Sequence, residues 1–196
     1  ANLVKVNISS ITANWGVVAS KGYSLEASTS SNFSAIKSSI TILDSISSLS
    51  VTDLVPNTTY YLRVASINSD NERNYTYIAS TPTLASFPSE LPLSNHTTYS
   101  MQINWSRNSN PNDTLYLMEI SSTNFMDGAI YSTHTYNDYA YFDNLQSNTT
   151  YYKRITAISR REIPSGPISF NPVATLAFKP INLKYSFSTH TINIEW

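Results

Sequence analysis

Three runs along the chain alternate apolar with polar residues and end on a tryptophan: Ile11-x-Ala13-x-Trp15, Met101-x-Ile103-x-Trp105 and Ile192-x-Ile194-x-Trp196. A period of two with apolar residues on one side predicts half-buried strands whose alternate side chains face one core. The tryptophans lie 90 and 91 residues apart, so the runs share one phase. A longer match fixes that phase independently. Residues 54–64, Leu-Val-Pro-Asn-Thr-Thr-Tyr-Tyr-Leu-Arg-Val, are answered 91 positions later by Leu-Gln-Ser-Asn-Thr-Thr-Tyr-Tyr-Lys-Arg-Ile. Between these marks, Tyr23-Ser24-Leu25-Glu26-Ala27 answers Tyr116-Leu117-Met118-Glu119-Ile120, and Asn32-Phe33 answers Asn124-Phe125. Thr83-Leu84-Ala85 recurs as Thr175-Leu176-Ala177, with Pro88 and Pro180 three residues beyond. The unit is therefore about 90 residues of short strands broken by Ser, Asn and Pro turns. No stretch sustains a helical period, and the chain is expected to be all-β.

The paired marks resemble the fibronectin type III family over essentially the whole chain. The family's pattern is a Trp on strand B, a Tyr on strand C, and Leu-x-Pro-x-Thr-x-Tyr leading into strand F. The first copy supplies Trp15, Tyr23, Leu54, Pro56, Thr58 and Tyr60; the second supplies Trp105, Tyr116, Leu145, Ser147, Thr149 and Tyr151. The resemblance implies immunoglobulin-like β-sandwiches of about seven strands each: residues 1–82, residues 83–174, and strands A and B of a third, incomplete repeat over 175–196. It also implies that Tyr60 and Tyr151 are corner tyrosines, with rings in the core and hydroxyls bonded to backbone near the E–F turn. Two positions depart from the pattern. Ser147 replaces the corner proline, and Lys153 stands in the inward register where the first copy has Leu62. A lysine there must reach the sandwich edge, find a partner, or be turned out by a bulge.

Charge narrows the function classes. With 12 Lys+Arg against 13 Asp+Glu, no excess of positive charge is available to hold nucleic acid or an anionic membrane surface. No cysteine is present, which excludes disulfides and thiolate metal sites. No apolar run approaches a membrane span, and membrane insertion by this segment is not expected. The start, Ala1-Asn2-Leu3-Val4-Lys5, does not read as a signal peptide; a secreted parent would carry its targeting segment elsewhere.

Candidate chemistry is sparse. His96, His134 and His190 have no histidine partner at strand or helix spacing, and nothing converges toward zinc. The stretch from Asn68 to Glu72 lacks the glycine and distal Glu of a calcium loop and reads as a polar hairpin. Four scattered glycines build no phosphate loop, and no nucleophile motif occurs. No cofactor and no catalytic residue are expected. Asn-x-Ser/Thr occurs at eight positions, mostly as a consequence of composition; Asn57 and Asn148 share one E–F turn position and are the candidate N-glycosylation sites. On the predicted strand E, Ala140 and Phe142 face the core and Tyr139 and Tyr141 face outward, two tyrosines able to stack on a sugar ring or a partner protein. Tyrosine is equally a good strand residue on a charge-poor surface. Tyr61 with Arg63, and Tyr152 with Arg154, are expected to form local cation–π pairs on strand F.

These features predict a non-catalytic structural or spacer segment of an extracellular or cell-surface repeat protein, serving adhesion or filament and surface assembly. Its partners would be other repeats of the same protein, neighbouring subunits, or a surface protein or glycan. Low charge and Ser/Thr/Asn richness resemble prokaryotic surface proteins. One alternative is a recognition module presenting its F–G and B–C loops or Tyr139 and Tyr141. Another is a spacer in a secreted polysaccharide-degrading enzyme. Because two strands cannot bury Ile192, Ile194 and Trp196, strands C to G are expected to follow in the parent protein, unless the hairpin is donated to a neighbour.

Overall fold

The structure, a computed structural model, describes residues 1–181 and 184–195. All of its regular elements are strands. The first module contains β1 (Asn2–Val6), β2 (Ile11–Asn14), β3 (Gly22–Ser28), β4 (Lys37–Thr41), β5 (Ser48–Val51), β6 (Thr59–Ile67) and β7 (Arg73–Pro82). The second contains β8 (Ser89–Ser94), β9 (Met101–Ser106), β10 (Leu115–Ser121), β11 (Ile130–Thr135), β12 (Tyr139–Phe142), β13 (Thr150–Ile158) and β14 (Ile168–Ala174). Both adopt one topology. A three-stranded sheet, β1–β2–β5 or β8–β9–β12, faces a four-stranded sheet, β4–β3–β6–β7 or β11–β10–β13–β14. Every pairing is antiparallel, and the inward residues of the two sheets interdigitate as in a sandwich. A further hairpin joins β15 (Lys184–Phe187) to β16 (Ile192–Glu195). It exposes Tyr185, Phe187, Ile192 and Ile194. Trp196 lies outside the described residues.

The alternation seen in the sequence is the alternation of the cores. Ile11, Leu25, Val51, Leu54, Tyr60 and Leu62 are buried in the first module; Ile103, Trp105, Tyr116, Met118, Leu145 and Tyr151 are buried in the second. Both corner tyrosines close their E–F turn in the same way. The Val55 N–H donates to the Tyr60 hydroxyl at 3.0 Å, and the Gln146 N–H donates to the Tyr151 hydroxyl at 3.0 Å. The turn therefore keeps its geometry with Ser147 in place of proline.

The two tryptophans are not equivalent. Trp105 is 1% exposed and packs edge-on against Tyr116, with ring centroids 5.5 Å apart. Trp15 leans on Tyr23 at 5.3 Å but is only half-buried, against the expectation from its register. Ala85, from the segment entering the second module, is buried in the Trp105 core, and a cleft of about 290 Å3 lined by Ala1, Gly16, Val18 and Val64 opens beside Trp15.

Lys153 resolves its conflict with the core by finding a partner. Its side chain is 2% exposed, and Nζ donates to Glu90 Oε1 at 2.7 Å, from β13 in one sheet to β8 in the other. The other carboxylate oxygen of Glu90 accepts from the backbone N–H and the side-chain amide of Asn171, at 2.9 and 2.8 Å. The register shift beside Lys153 places its extra residue in β14, so it does not turn the lysine outward. Burial acts to raise the Glu90 carboxyl, but the Lys153 ammonium and the Asn171 donors outweigh it and hold Glu90 below the ordinary carboxylate range.

Two predictions follow from this packing. Tyr151→Phe leaves the Gln146 N–H without its acceptor and is expected to cost about 1 kcal/mol, while Tyr151→Ala opens a cavity and costs about 3–5 kcal/mol, both read by urea unfolding. Because the folded Glu90 is the more acidic state, its contribution is complete above the ordinary value of 4.5 and is lost as pH falls through its lower folded value. Glu90→Ala with Lys153→Leu, which installs an apolar pair, should match or exceed the parent stability at neutral pH and flatten the acid limb of the stability profile. Measurement of Tm against pH for both proteins checks this.

Candidate functional site at the junction and on the tyrosine face

The E–F turn of the first module reaches the second module through one side chain. Asn57 sits at φ 45°, a left-handed conformation that asparagine tolerates better than most residues. The turn is clamped from behind: Thr83 Oγ1 donates to the Val55 carbonyl at 2.7 Å and accepts from the Thr58 N–H at 3.1 Å, and the Asn57 N–H donates to the Leu84 carbonyl at 3.0 Å. So held, the Asn57 amide projects across the junction. Its Nδ2 donates to Thr114 Oγ1 at 2.9 Å, and its Oδ1 accepts from the Arg160 N–H at 2.7 Å. Thr114 precedes β10 and Arg160 follows β13, so one amide bridges the B–C and F–G loops of the second module.

Two further contacts fasten the joint. Asn110 grips the connecting segment as a peptide would, accepting from the Ser86 N–H at 2.7 Å and donating to the Ser86 carbonyl at 2.8 Å. Its Nδ2 also donates to the Tyr116 hydroxyl at 3.3 Å, which ties the joint to the Trp105–Tyr116 core. At the rim Arg161 Nη1 donates to Thr81 Oγ1 at 3.4 Å, while Arg160 pairs with Asp113 within the second module.

This arrangement corrects one sequence expectation. Asn57 is 1% exposed and its Nδ2 is already engaged, so it is not an accessible glycosylation acceptor in the folded chain. Asn148 repeats the same turn at φ 49°, with its N–H donating to Leu176 at 3.2 Å, but its side chain is exposed.

The expected strand-F stacks are replaced by cross-strand clamps. Arg63 faces Glu26 directly on β3, bonding it through Nε at 2.8 Å and Nη2 at 2.7 Å; its guanidinium lies 4.1 Å from the Phe33 ring centroid and 3.8 Å from that of Tyr75. Arg154 repeats this with Glu119, at 2.8 and 3.0 Å, and with Phe125 at 4.1 Å. Neighbours two apart on one strand stand about 7 Å apart, whereas a directly opposed cross-strand pair is closer, and the planar guanidinium takes the nearer carboxylate. Desolvation and the Glu26 carboxylate together raise the Tyr75 hydroxyl. The repeated Asn-Phe pair was the signal for this clamp: Phe33 and Phe125 both take positive φ, which turns each ring over its arginine.

Tyr139 and Tyr141 stand on the outer face of β12, 42% and 51% exposed, with Ala140 and Phe142 buried between and beside them. The turn from Asn68 to Glu72 closes on itself, Asn68 Oδ1 accepting from the Asp70 and Glu72 N–H groups at 3.0 and 2.9 Å. Among the described residues, no three His, Asp or Glu side chains gather as metal ligands. His96 instead contacts the Ala174 carbonyl at 2.8 Å.

A two-domain fibronectin type III segment of chicken tenascin superposes on 88% of this chain and 96% of its own, with a TM-score of 0.63 at 17% sequence identity. The fold is that of tandem fibronectin type III domains. The FN1–FN3 domains of chicken CNTN1 also match, over 90% of this chain and 67% of theirs, with a TM-score of 0.37 and 15% identity. No protein-family model and no curated protein matches the chain. The two modules therefore resemble the tenascin pair in fold while sharing little sequence with it.

Proposed function

We propose that this chain is a non-catalytic spacer of an extracellular or cell-surface repeat protein, in which successive fibronectin type III modules are held at a set angle and so set distance. The observation that carries this reading is the Asn57 bridge. A flexible tether between modules would need no buried amide satisfied by Thr114 on one side and Arg160 on the other. In the closed joint both hydrogen-bonding ends of this buried amide are satisfied, so closure carries no penalty for an unpaired polar group. The tenascin segment supports the tandem arrangement. Adhesion or filament assembly is the setting in which a stiff series of such modules is useful.

Replacing both modules in the parent protein by an unrelated rigid two-module segment of equal length tests the spacer role. Retained surface display supports it; loss of display with the replacement segment folded would show that more than length is required of these modules. The joint itself is tested by Asn57→Ala, expected to weaken the junction by about 1–3 kcal/mol while leaving each module folded. Electron–electron distance measurements between spin labels on the two modules should change from a narrow to a broad distribution. An unchanged distribution would mean that the angle is set elsewhere.

A further inference from the structure

The two modules share one topology, so each serves as the other's control for what the fold requires. On the outer face of the first three-stranded sheet, the row across the strands is Asn2, Asn14 and Ser48, with Lys5, Thr12 and Ser50 in the next row. Thr12 and Ser50 bond to each other at 2.7 Å, and no aromatic residue stands in either row. On the second module the corresponding row is Leu91, Asn104 and Tyr139, with Gln102 and Tyr141 in the next. Three small polar positions have become large apolar or aromatic ones, and all three are substantially exposed. The sandwich does not need them, since the first module folds with serines at the Tyr139 and Tyr141 positions.

Between these apolar flanks lies an ordered line of amides. Asn95 Nδ2 donates to Gln102 Oε1 at 3.1 Å, Gln102 Nε2 donates to Asn104 Oδ1 at 2.9 Å, and Asn104 Nδ2 donates to the Pro92 carbonyl at 2.7 Å and to Ser94 Oγ at 3.1 Å. These bonds orient the amides without exhausting them. Each amide carries two N–H groups and two carbonyl lone pairs, so Gln102 keeps one donor and one acceptor position, and Asn104 keeps one acceptor position. None of Leu91, Asn95, Gln102, Asn104, Tyr139 and Tyr141 is charged. The two tyrosines stand about 7 Å apart along β12, and Leu91 lies about 10 Å from Tyr139 across two strand spacings.

We propose that this face is a binding surface for a neutral saccharide, with the Tyr139 and Tyr141 rings as the stacking platform and Gln102 and Asn104 as hydroxyl partners. A sugar ring presents an apolar C–H face together with hydroxyls that both donate and accept. Exposed aromatic rings beside amides with a donor and acceptors still free match both properties. A charged glycan or an acidic peptide would find no counter-charge among these residues. A saccharide is also narrow enough to lie along an open sheet face, where no deep cavity is needed. The spacer reading does not depend on this surface, and either can fail without the other.

The test is NMR of the whole chain, following the side-chain amide signals of Gln102 and Asn104 during addition of uncharged glucan and chitin oligosaccharides at about millimolar concentration. Sulfated and uronic-acid oligosaccharides serve as comparators. Saturable shifts confined to this face with a neutral saccharide are expected. Tyr139→Ser together with Tyr141→Ser, the residues found in the first module, should weaken that binding at least ten-fold and leave Tm unchanged. No shift with any neutral saccharide, equal shifts in the double variant, or preference for the charged comparators would each overturn the proposal. Self-association of the parent chain that the double variant abolishes, with no response to saccharides, would overturn it in favour of a protein contact.

Discussion

The segment between the fifth and sixth strands of the first module is the constraint on which the rest depends. Within seven residues it must bury Leu54, accept the tyrosine corner at Val55, take a left-handed turn at Asn57, and start β6 with Tyr60 facing inward. Thr83 closes it from behind through Val55 and Thr58. A displaced Tyr60 would therefore disturb the core and aim Asn57 away from Thr114 and Arg160. Core packing and junction geometry are thus linked through a single backbone path. A buried aromatic ring can thereby influence how two separate sandwiches sit on one another.

The same path leads into a junction built from hydrogen bonds. It relies on directional hydrogen bonds from groups that are already immobile. Asn57 is fixed by its turn, Thr114 by the B–C loop, and the Ser86 peptide by the Asn110 amide. Little side-chain entropy remains to be lost when the joint closes. The linker contributes an apolar residue as well, since Ala85 completes the core around Trp105.

Much of this was legible in the residues. Alternation around Ile11-x-Ala13 and Met101-x-Ile103 marks core strands because a strand's side chains have only two directions. The repeated Leu-x-x-x-Thr-x-Tyr marks the corner because a buried phenol must find a polar partner. The junction was less visible. Asn57-Thr58-Thr59 reads as an exposed turn, and its burial depends on Thr114 and Arg160, which lie 57 and 103 residues further along. No local pattern encodes a contact at that separation. The arginine clamps escape a local reading for a related reason: Glu26 and Glu119 sit on another strand, and the nearest aromatic in sequence is not the nearest in space. Lys153 was recognisable as a conflict, but its remedy, Glu90, lies on the opposite sheet.

Amide hydrogen exchange at Arg160 tests the central claim most directly. Arg160 lies in a loop following β13, and its N–H is shielded through the bond to Asn57 Oδ1. The closed joint predicts that this amide is protected well beyond a solvent-exposed loop position, and that the protection disappears when residues 83–196 are studied without the first module. Exchange at the unprotected loop rate in the intact chain would contradict the account, because it would mean that the Asn57 bridge is not formed in solution.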